Sequence, residues 1–409
     1  SPADPAAADV APGAAPGVAP GVAPGAAPPF TPGGVLARLG LVVLCAALGF
    51  AAVDLVVAWL DREQVEVDDK LYLKDPALGF TNRPHFTNPL SHLDRYGLRN
   101  EEIPDDAPRD ELRILGLGAS QTYGAGGARQ EETWSYALEA DLNERSAAGG
   151  GPHVRVLNGG VMGYSLLQSC RRGLALLPQL DPDLVLVFVD PGRQSLLSRS
   201  GALRWERVGD DYVPVDVLAG VPAALRPAAA WWHTLCNHSA IYRRYRTLVT
   251  EPGEVDTSSG KFVLSRAPHS DDVEALLQRG LDEARALVEA AAARGAQVRF
   301  VIYPATEMAS AKIWTRFLQQ QAGRGAPPAG TPRTEPLQVL AERLAAEGGR
   351  CWSLDPIVSA FERQHDAFIY PNDHWRPAAH AGVAQGLAKL IDDEGLLDAL
   401  AGSRRERPR

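Results

Sequence analysis

Residues Leu112–Gly124 read LRILGLGASQTYG, in which a mostly apolar run passes directly into a glycine-rich turn. A short apolar run bounded by glycine is typical of a buried β-strand. A serine on the turn after a parallel strand presents its hydroxyl at the carboxyl end of the sheet, and glycines allow the backbone to approach closely there. The stretch therefore predicts a strand at Leu112–Leu117, followed by a turn that exposes Ser120.

Further apolar runs follow along the chain at Val154–Leu157, Leu184–Val189, Val298–Tyr303 and Cys351–Leu354. Amphipathic patterns with helical spacing occur at Thr133–Arg145, Leu166–Leu177, Asp271–Arg294, Leu337–Glu347 and Pro377–Ile391. Strands that alternate with helices imply a parallel sheet with helices on both faces. We therefore predict an α/β domain with a parallel sheet of about five strands.

One interval breaks this alternation, because more than a hundred residues separate Val189 from Val298. It contains a possible hairpin at Trp205–Val215 and an aromatic stretch at Ala228–Tyr245. Ligands of open parallel sheets bind beyond the carboxyl ends of the strands. We predict that an insertion at about residues 195–268 caps this end of the sheet and helps to select substrates. Some of its aromatic side chains either stack on a sugar or form a small core of the cap: Trp205, Tyr212, Trp231 and Trp232.

The N-terminal region separates into a tail and an apolar segment. Residues 1–34 are mostly Ala, Pro and Gly in a four-residue repeat, which predicts a disordered tail because regularly spaced proline prevents helix formation. Residues 39–60 are apolar except for Asp54, and about 20 apolar residues are enough to span a bilayer. We predict a single transmembrane helix at residues 35–62 and, through it, a membrane partner. One arginine flanks the apolar segment on each side, so charge does not decide the orientation.

The remaining segments and the composition set further limits. Residues 63–110 are polar and turn-rich, which predicts a stalk leading into a domain at 111–395, and the arginine-rich end at 396–409 is interpreted as a solvated basic tail. The formal net charge of −9 argues against a nucleic-acid partner bound through phosphate contacts. The four cysteines contain no C-x-x-C pair and the nine histidines do not cluster with acidic residues, so we expect neither a metal nor another cofactor.

Two more blocks carry residue types suited to acyl-transfer chemistry. The second predicted strand runs into Asn158-Gly159-Gly160, with Gly163 shortly after, and backbone amides exposed by glycines are suited to an oxyanion hole. Near the end of the chain, residues 370–375 read YPNDHW just before a predicted helix start, which places His374 within reach of the same sheet edge. A dinucleotide site is not supported, because the pattern G-x-G-x-x-G fails after Gly118.

Taken in this order, the Gly-x-Ser, Asn-x-Gly-x-x-Gly and Asp-His blocks resemble those of the SGNH/GDSL hydrolase family. The segments Leu78–Pro84 and Tyr96–Asn100 resemble the lead-in of its membrane-anchored bacterial members, and the DHW end is similar to the D-x-H-W motif of SGNH-like alginate O-acetylation proteins. The resemblance spans roughly Leu71–Ile391. It implies a flavodoxin-like three-layer α/β/α fold. It also implies that the tail lies on the cytoplasmic side of the membrane and the main domain on the outer side.

The resemblance also implies roles for residues in the matching blocks. Ser120 would be the nucleophile and His374 the general base, and the amides of Ser120 and Gly163 would form part of the oxyanion hole. The group that orients His374 would be Asp373, or Asn372 acting through its amide. Three residues are candidate substrate contacts, of which the first alternatively braces its own loop: Asn158, Tyr123 and Trp375.

The sequence departs from the family's pattern in three respects. Ala119 stands where the family has a supporting aspartate, Val189–Arg193 contains no oxyanion asparagine, and the usual acid positions before the histidine are Asn372 and Pro371. The resemblance implies a membrane-anchored serine esterase or O-acyltransferase that acts on acylated carbohydrate. The departures leave open a second hypothesis, a degenerate SGNH-fold protein that binds a glycan or a membrane partner without turnover.

Overall fold

The computed structural model describes residues 32–61, 71–75, 77–104, 108, 111–197, 205–208, 211–214, 221–229, 231–232, 239, 241, 263–320, 327–365, 367–369 and 374–406. The predicted tail therefore lies outside the described residues, apart from its last three positions. The chain divides into two units, Ser1–Val56 and Val57–Arg409.

A single long helix, α1 (Pro32–Asp61), forms the described part of the N-terminal region. Its segment Ala37–Val57 is long and apolar enough to cross a membrane. Large apolar side chains along it are exposed, and Leu55 is 72% exposed. Exposed apolar surface is costly in water. The helix agrees in position and length with the transmembrane helix predicted at residues 35–62.

The second unit contains the remaining elements. Its strands are β1 (Tyr72–Asp75), β2 (Gly79–Asn82), β3 (Leu112–Leu117), β4 (Val154–Asn158), β5 (Leu184–Val189), β6 (Trp205–Val208), β7 (Asp211–Pro214), β8 (Gln297–Ile302), β9 (Arg350–Ser353), β10 (Phe368–Ile369) and β11 (His374–Trp375). Its helices are α2 (Ser120–Tyr123), α3 (Trp134–Gly149), α4 (Leu166–Leu180), α5 (Arg193–Leu197), α6 (Asp271–Ala292), α7 (Ala311–Gln320), α8 (Glu335–Ala346), α9 (Asp355–His365), α10 (Pro377–Asp393) and α11 (Leu396–Glu406).

Five parallel strands form the central sheet in the order β4-β3-β5-β8-β9. Leu115 of β3 pairs with Leu157 on one side and with Val185 on the other. In chain order the strands therefore stand second, first, third, fourth and fifth, which is the flavodoxin-like arrangement. This confirms the predicted fold class. β4 lies on one side of β3, and the next strand along the chain, β5, lies on the other side, so the strand order reverses at β3. Sheets of this kind bind ligands at such a reversal, in the crevice beyond the carboxyl ends of β3 and β5.

Helices cover both faces of this sheet. On β5, Val185 and Val187 join a core with α4, α6 and α8, whereas Leu184 and Leu186 join a second core with α3, α10 and α11. Alternate side chains of a strand point to opposite faces, so every residue of β5 is buried. The result is the predicted three-layer α/β/α arrangement.

The described part of the lead-in, residues 71–104, packs into the domain and does not stand away from it as a stalk. β1 and β2 form an antiparallel hairpin. Arg172 of α4 is buried and donates to the carbonyl oxygens of Gly159 and Gly97, at 3.1 Å each. The polar composition predicted a stalk, but polar side chains of this segment donate to backbone carbonyl oxygens of the domain: Asn82 to Gly160, Arg99 to Tyr123 and Asn100 to Val156.

The C-terminal segment predicted to be a solvated tail is instead mostly helical. In α11, Leu396 and Leu400 are buried one helical turn apart in the second core. Arg404 extends the same helix and donates to the buried carboxylate of Asp183 at 2.9 Å. The segment is therefore an amphipathic helix, which its arginine-rich composition did not indicate.

The long insertion begins and ends at the carboxyl end of β5. Gly192 forms a β-bridge with Val263, and the Leu264 amide donates to the Pro191 carbonyl oxygen at 2.9 Å. β6 and β7 confirm the predicted hairpin. Trp231 and Trp232 are exposed, whereas the side chains of Trp205 and Tyr212 lie outside the described residues.

Removal of residues 1–62 should leave a soluble, folded domain. No described residue of either core comes from this region, and an apolar span requires lipid and not the domain. Circular dichroism and size-exclusion chromatography in detergent-free buffer would measure the outcome. A truncated chain that stays in the membrane fraction, or that does not fold, would contradict the membrane-anchor interpretation of residues 39–60.

Candidate active site

Ser120 lies on a tight turn at the carboxyl edge of the sheet. α2 begins at Ser120, and only two residues separate it from the end of β3. A Cβ on Gly118 would lie 2.1 Å from Thr122 Oγ1 and 3.0 Å from the carbonyl oxygen of Phe188, so the turn requires glycine. Because the turn is tight, α2 begins close to the carboxyl end of β3, and Ser120 is partly exposed there.

The loop after β4 lies directly on α2. The Val161 amide donates to the Gly118 carbonyl oxygen at 3.0 Å. A Cβ on Gly160 would lie only 2.4 Å from the Tyr123 backbone nitrogen, so side chains are excluded there as well. Gly163 has a φ of +83°, which glycine adopts without strain. The loop that carries Gly163 is therefore anchored beside the serine turn.

The structure brings the elements of Ser120 and His374 together. β11 carries the partly exposed His374 and contacts α2. The hydroxyl of Ser120 donates to Gln121 Oε1 at 3.0 Å. Asn372 and Asp373 lie outside the described residues, so their roles remain predictions from the sequence.

A buried tyrosine and an aspartate adjoin this corner, and neither was among the predicted site residues. Tyr303 follows β8, and its single hydroxyl proton is shared between two acceptors, Gln121 Oε1 at 3.4 Å and the Asp190 carboxylate. Asp190 follows β5 and accepts from the Gly192 amide at 2.7 Å and from the Ser195 hydroxyl. Burial raises the pKa of Asp190, and burial together with the charge of Asp190 raises the pKa of Tyr303, which stays a hydrogen-bond donor at neutral pH. Their positions just beyond the carboxyl ends of two parallel strands were the sequence signal for both residues.

The three candidate substrate contacts are buried and support the site from behind. Asn158 and Trp375 are fully buried, and Tyr123 is 4% exposed. Asn158 Oδ1 accepts from the Gly160 amide at 3.1 Å, so this side chain braces its own loop. Trp375 packs edge-on against Tyr303 with ring centroids 5.2 Å apart. Burial argues against direct substrate contact for all three residues.

The surface that a ligand would meet at the carboxyl edge is formed by residues that keep partial exposure: Ser120, Gln121, Gly163, Asp190, Gly192 and His374. The set combines a hydroxyl, an imidazole, a carboxamide and a carboxylate with two glycines. Covalent acyl transfer through serine requires a hydroxyl and a base such as an imidazole that can come within hydrogen-bond reach of it. Across the described ranges, no group of three His, Cys, Asp or Glu side chains is arranged to hold a metal ion.

His380 lies behind β11 and is fully buried. Its ring packs edge-on against Trp375 at 5.6 Å, and neither ring nitrogen has a hydrogen-bond partner among the residues described. Burial, reinforced by the nearby positive charge of Arg99, lowers the pKa of His380 to about 3. His380 is therefore neutral at ordinary pH and belongs to the packing that supports β11.

No protein-family model matches the chain, and no curated protein matches it. Solved structures do match. An esterase, EstA from Pseudoalteromonas sp., is 15% identical, with 69% of this chain and 97% of that chain covered and a TM-score of 0.34. An acetyl xylan esterase is 10% identical, with 68% of this chain and 100% of that chain covered and a TM-score of 0.36.

A third structure comes from Desulfitobacterium hafniense and is described as a lipolytic protein of the G-D-S-L family. It is 10% identical, with 68% of this chain and 99% of that chain covered and a TM-score of 0.34. That family is the one that the sequence blocks resemble. Because these identities and TM-scores are low, the chemistry of this chain has to be inferred from its own residues.

The buried His380 should make the protein less stable in acid. Its folded pKa of about 3 lies below the ordinary value of 6.5, so the unfolded chain binds a proton that the folded chain does not bind between these pH values. Its contribution to stability is complete above about pH 7 and is lost as the pH falls. Between pH 8 and pH 4 the loss amounts to about 3 kcal/mol.

Urea denaturation of the wild type and of His380→Leu over this pH range would measure the effect. The variant should lose about 3 kcal/mol less free energy of unfolding than the wild type between pH 8 and pH 4. Other titratable groups contribute equally to both proteins, so their effects cancel in the difference. One of them is Asp94, whose pKa is raised by burial to about 6 and whose contribution to stability therefore changes with pH in the opposite direction. Parallel pH profiles for the two proteins would contradict a neutral, buried His380.

Proposed function

We propose that this protein is a serine ester hydrolase or O-acyltransferase. The observation that carries the proposal is the contact between α2, which begins with Ser120, and β11, which begins with His374, at the carboxyl edge of the sheet. Both residues are partly exposed although most residues around them are buried. In a flavodoxin-like sheet this edge is the one where ligands bind.

In the first step, Ser120 Oγ attacks the carbonyl carbon of the acyl ester. Its proton passes to the imidazole of His374, and the carbonyl π electrons move to the oxygen, which becomes an oxyanion. The backbone amides of Ser120 and Gly163 donate hydrogen bonds to this oxyanion. The intermediate then collapses, the bond to the leaving alcohol breaks, and His374 returns the proton to the alcohol oxygen.

In the second step, an acceptor hydroxyl attacks the acyl group on Ser120. The acceptor gives its proton to His374, and the same amides stabilise the second oxyanion. Cleavage of the ester to Ser120 returns the proton to the serine oxygen. When the acceptor is water the product is a free acid, and when it is a sugar hydroxyl the product is a new ester.

We further propose an acylated carbohydrate as the substrate and the cytoplasmic membrane as the location, with the domain outside and the tail inside. The apolar segment Ala37–Val57 supports a single-pass anchor. The exposed aromatic rings of Trp231 and Trp232 in the insertion are suited to stacking on a sugar. The orientation is supported only by the resemblance of the lead-in segments.

The second candidate function is that of a glycan-binding protein without turnover. It is favoured by the hydrogen bond from Ser120 Oγ to Gln121 Oε1, because a proton donated to an amide oxygen must leave that bond before a base can accept it. The absence of an oxyanion asparagine from Val189–Arg193 favours the same hypothesis.

The orienting group for His374 is expected to be Asn372 and not Asp373. Asn372 stands two residues before the histidine, which is the acid position of the D-x-H-W motif, and alternate residues share a face on an extended chain. Asn372→Ala should therefore lower kcat for p-nitrophenyl acetate more than Asp373→Ala does. Replacement of the orienting aspartate of a serine–histidine–aspartate triad lowers kcat by about 10⁴. Loss of turnover in Asp373→Ala alone would show that the register is wrong.

A fluorophosphonate probe should label Ser120 slowly, and Ser120→Ala should abolish the labelling. Such probes trap a serine only when a base accepts its proton and an oxyanion site stabilises the adduct. Labelling is expected to be slow, because the loss of one oxyanion donor costs a factor of about 10²–10³ in rate. Mass spectrometry of the labelled peptide would identify the site.

Ser353→Ala is the matched control, because Ser353 ends β9 of the same sheet and is exposed. This variant should be labelled at the wild-type rate, and circular dichroism should show that both variants are folded. If a folded wild-type protein stays unlabelled after prolonged exposure, the glycan-binding function replaces the enzymatic one.

A further inference from the structure

The turn after β5 carries a carboxyl group at the end of the sheet where ligands bind. Asp190 directly follows β5 and keeps partial exposure. The Ser120 hydroxyl donates to Gln121 Oε1 at 3.0 Å, and the Tyr303 hydroxyl contacts the same oxygen at 3.4 Å. Tyr303 in turn hydrogen-bonds to the Asp190 carboxylate. Since a hydrogen bond is about 3 Å long, these contacts place the carboxyl group within about 10 Å of Ser120 Oγ.

The carboxyl group of Asp190 retains capacity for a further hydrogen bond. In the part of the chain that the structure describes, it accepts from the Gly192 amide at 2.7 Å and from the Ser195 hydroxyl. It also shares the hydroxyl proton of Tyr303 with a second acceptor. A carboxylate has about four acceptor positions. At least one position therefore remains for a group that enters the crevice.

Asp190 also lies at the base of the insertion for which a role in substrate selection is predicted. The neighbouring Gly192 forms a β-bridge with Val263, so the insertion leaves the sheet and returns to it beside this turn. A substrate that extends from Ser120 toward the insertion therefore has Asp190 within reach.

A sugar hydroxyl is a suitable partner for this carboxyl group. Burial raises the pKa of Asp190, whereas the hydrogen bonds from Ser195 and Gly192 lower it. A hydroxyl suits both forms of the group, because it donates to a carboxylate and accepts from a carboxylic acid. In an acylated sugar, free hydroxyls also lie only a few bonds from the ester that Ser120 attacks.

We propose that Asp190 is a specificity-determining residue whose carboxyl group binds a free hydroxyl of the acylated sugar. This inference rests on the proposed function and extends it, because it defines the substrate as an ester with a free hydroxyl close to the acyl group. The bound hydroxyl holds the ester carbonyl near Ser120, so the contact contributes to kcat/KM for sugar esters. An ester without a hydroxyl, such as p-nitrophenyl acetate, gains nothing from it.

The test compares two kinds of ester with the full chain, purified in detergent. Mono-O-acetylated methyl glycosides of glucose, galactose, mannose and xylose carry free hydroxyls, and p-nitrophenyl acetate carries none. For each variant, kcat/KM for the best glycoside is divided by kcat/KM for p-nitrophenyl acetate, because a general disturbance of the site changes both. Asp190→Ala should lower this ratio by about 10- to 100-fold, since the bound hydroxyl loses its partner. Asp190→Asn should lower it less, because one side-chain oxygen still accepts.

Deoxy analogues of the best glycoside identify the bound hydroxyl. For the analogue that lacks it, the wild type should lose the same factor that Asp190→Ala loses with the parent glycoside. Asp190→Ala should cleave this analogue and the parent at similar rates. Losses that do not add in this way indicate a direct contact between the two groups. Losses that add for every analogue would overturn the inference.

Asp282→Asn is the matched control for the loss of charge, because Asp282 is exposed on α6 and accepts from Arg285 at 3.0 Å. It should keep the wild-type ratio, and thermal unfolding should show that all variants are folded. An equal loss for both kinds of ester in the Asp190 variants would overturn the inference. So would a wild-type protein that cleaves p-nitrophenyl acetate but none of the glycosides. A folded wild-type protein that neither cleaves p-nitrophenyl acetate nor is labelled at Ser120 would instead overturn the proposed function, and the inference with it.

Discussion

The turn after β3 and the loop after β4 approach each other so closely that neither accommodates a side chain at the point of contact. The Val161 amide binds the Gly118 carbonyl oxygen at 3.0 Å, and a Cβ on Gly160 would lie 2.4 Å from the backbone of α2. Because this contact fixes where α2 begins, it fixes the position of Ser120 at the edge of the sheet. The position of Gln121 follows from the same contact, since it is the next residue of the helix.

Buried guanidinium groups secure this contact from the opposite side. Arg172 donates to the Gly159 carbonyl oxygen, and Arg99 of the lead-in donates to the carbonyl oxygens of Tyr123 and Gly124 at 2.9 Å each. A buried charge is tolerated only when hydrogen bonds replace its hydration. The carbonyl oxygens at the ends of α2 and of the β4 loop provide that replacement. The lead-in and the site are therefore parts of one hydrogen-bonded unit.

Aromatic packing connects the remaining part of the site to this unit. Trp375 lies between Tyr303 and His380, and it places β11 beside the end of β8. His374 precedes Trp375, so the packing of the tryptophan determines where the imidazole emerges. Tyr303 connects this packing to Gln121, because its hydroxyl hydrogen-bonds to Gln121 Oε1. Support of this kind suits a site in which a hydroxyl and an imidazole from distant parts of the chain must meet.

The amino-acid sequence alone was enough for the fold class, the five central strands and the position of Ser120, because apolar periodicity and a glycine turn are local patterns. The blocks also indicated His374. The sequence did not reveal that the polar lead-in and the arginine-rich end pack against the domain, since composition does not show whether a polar group binds water or a backbone carbonyl. Nor did it reveal the contacts among Gln121, Tyr303 and Asp190, because the order of the strands in the sheet brings these three distant positions together. Strand order depends on long-range packing, which no local pattern encodes.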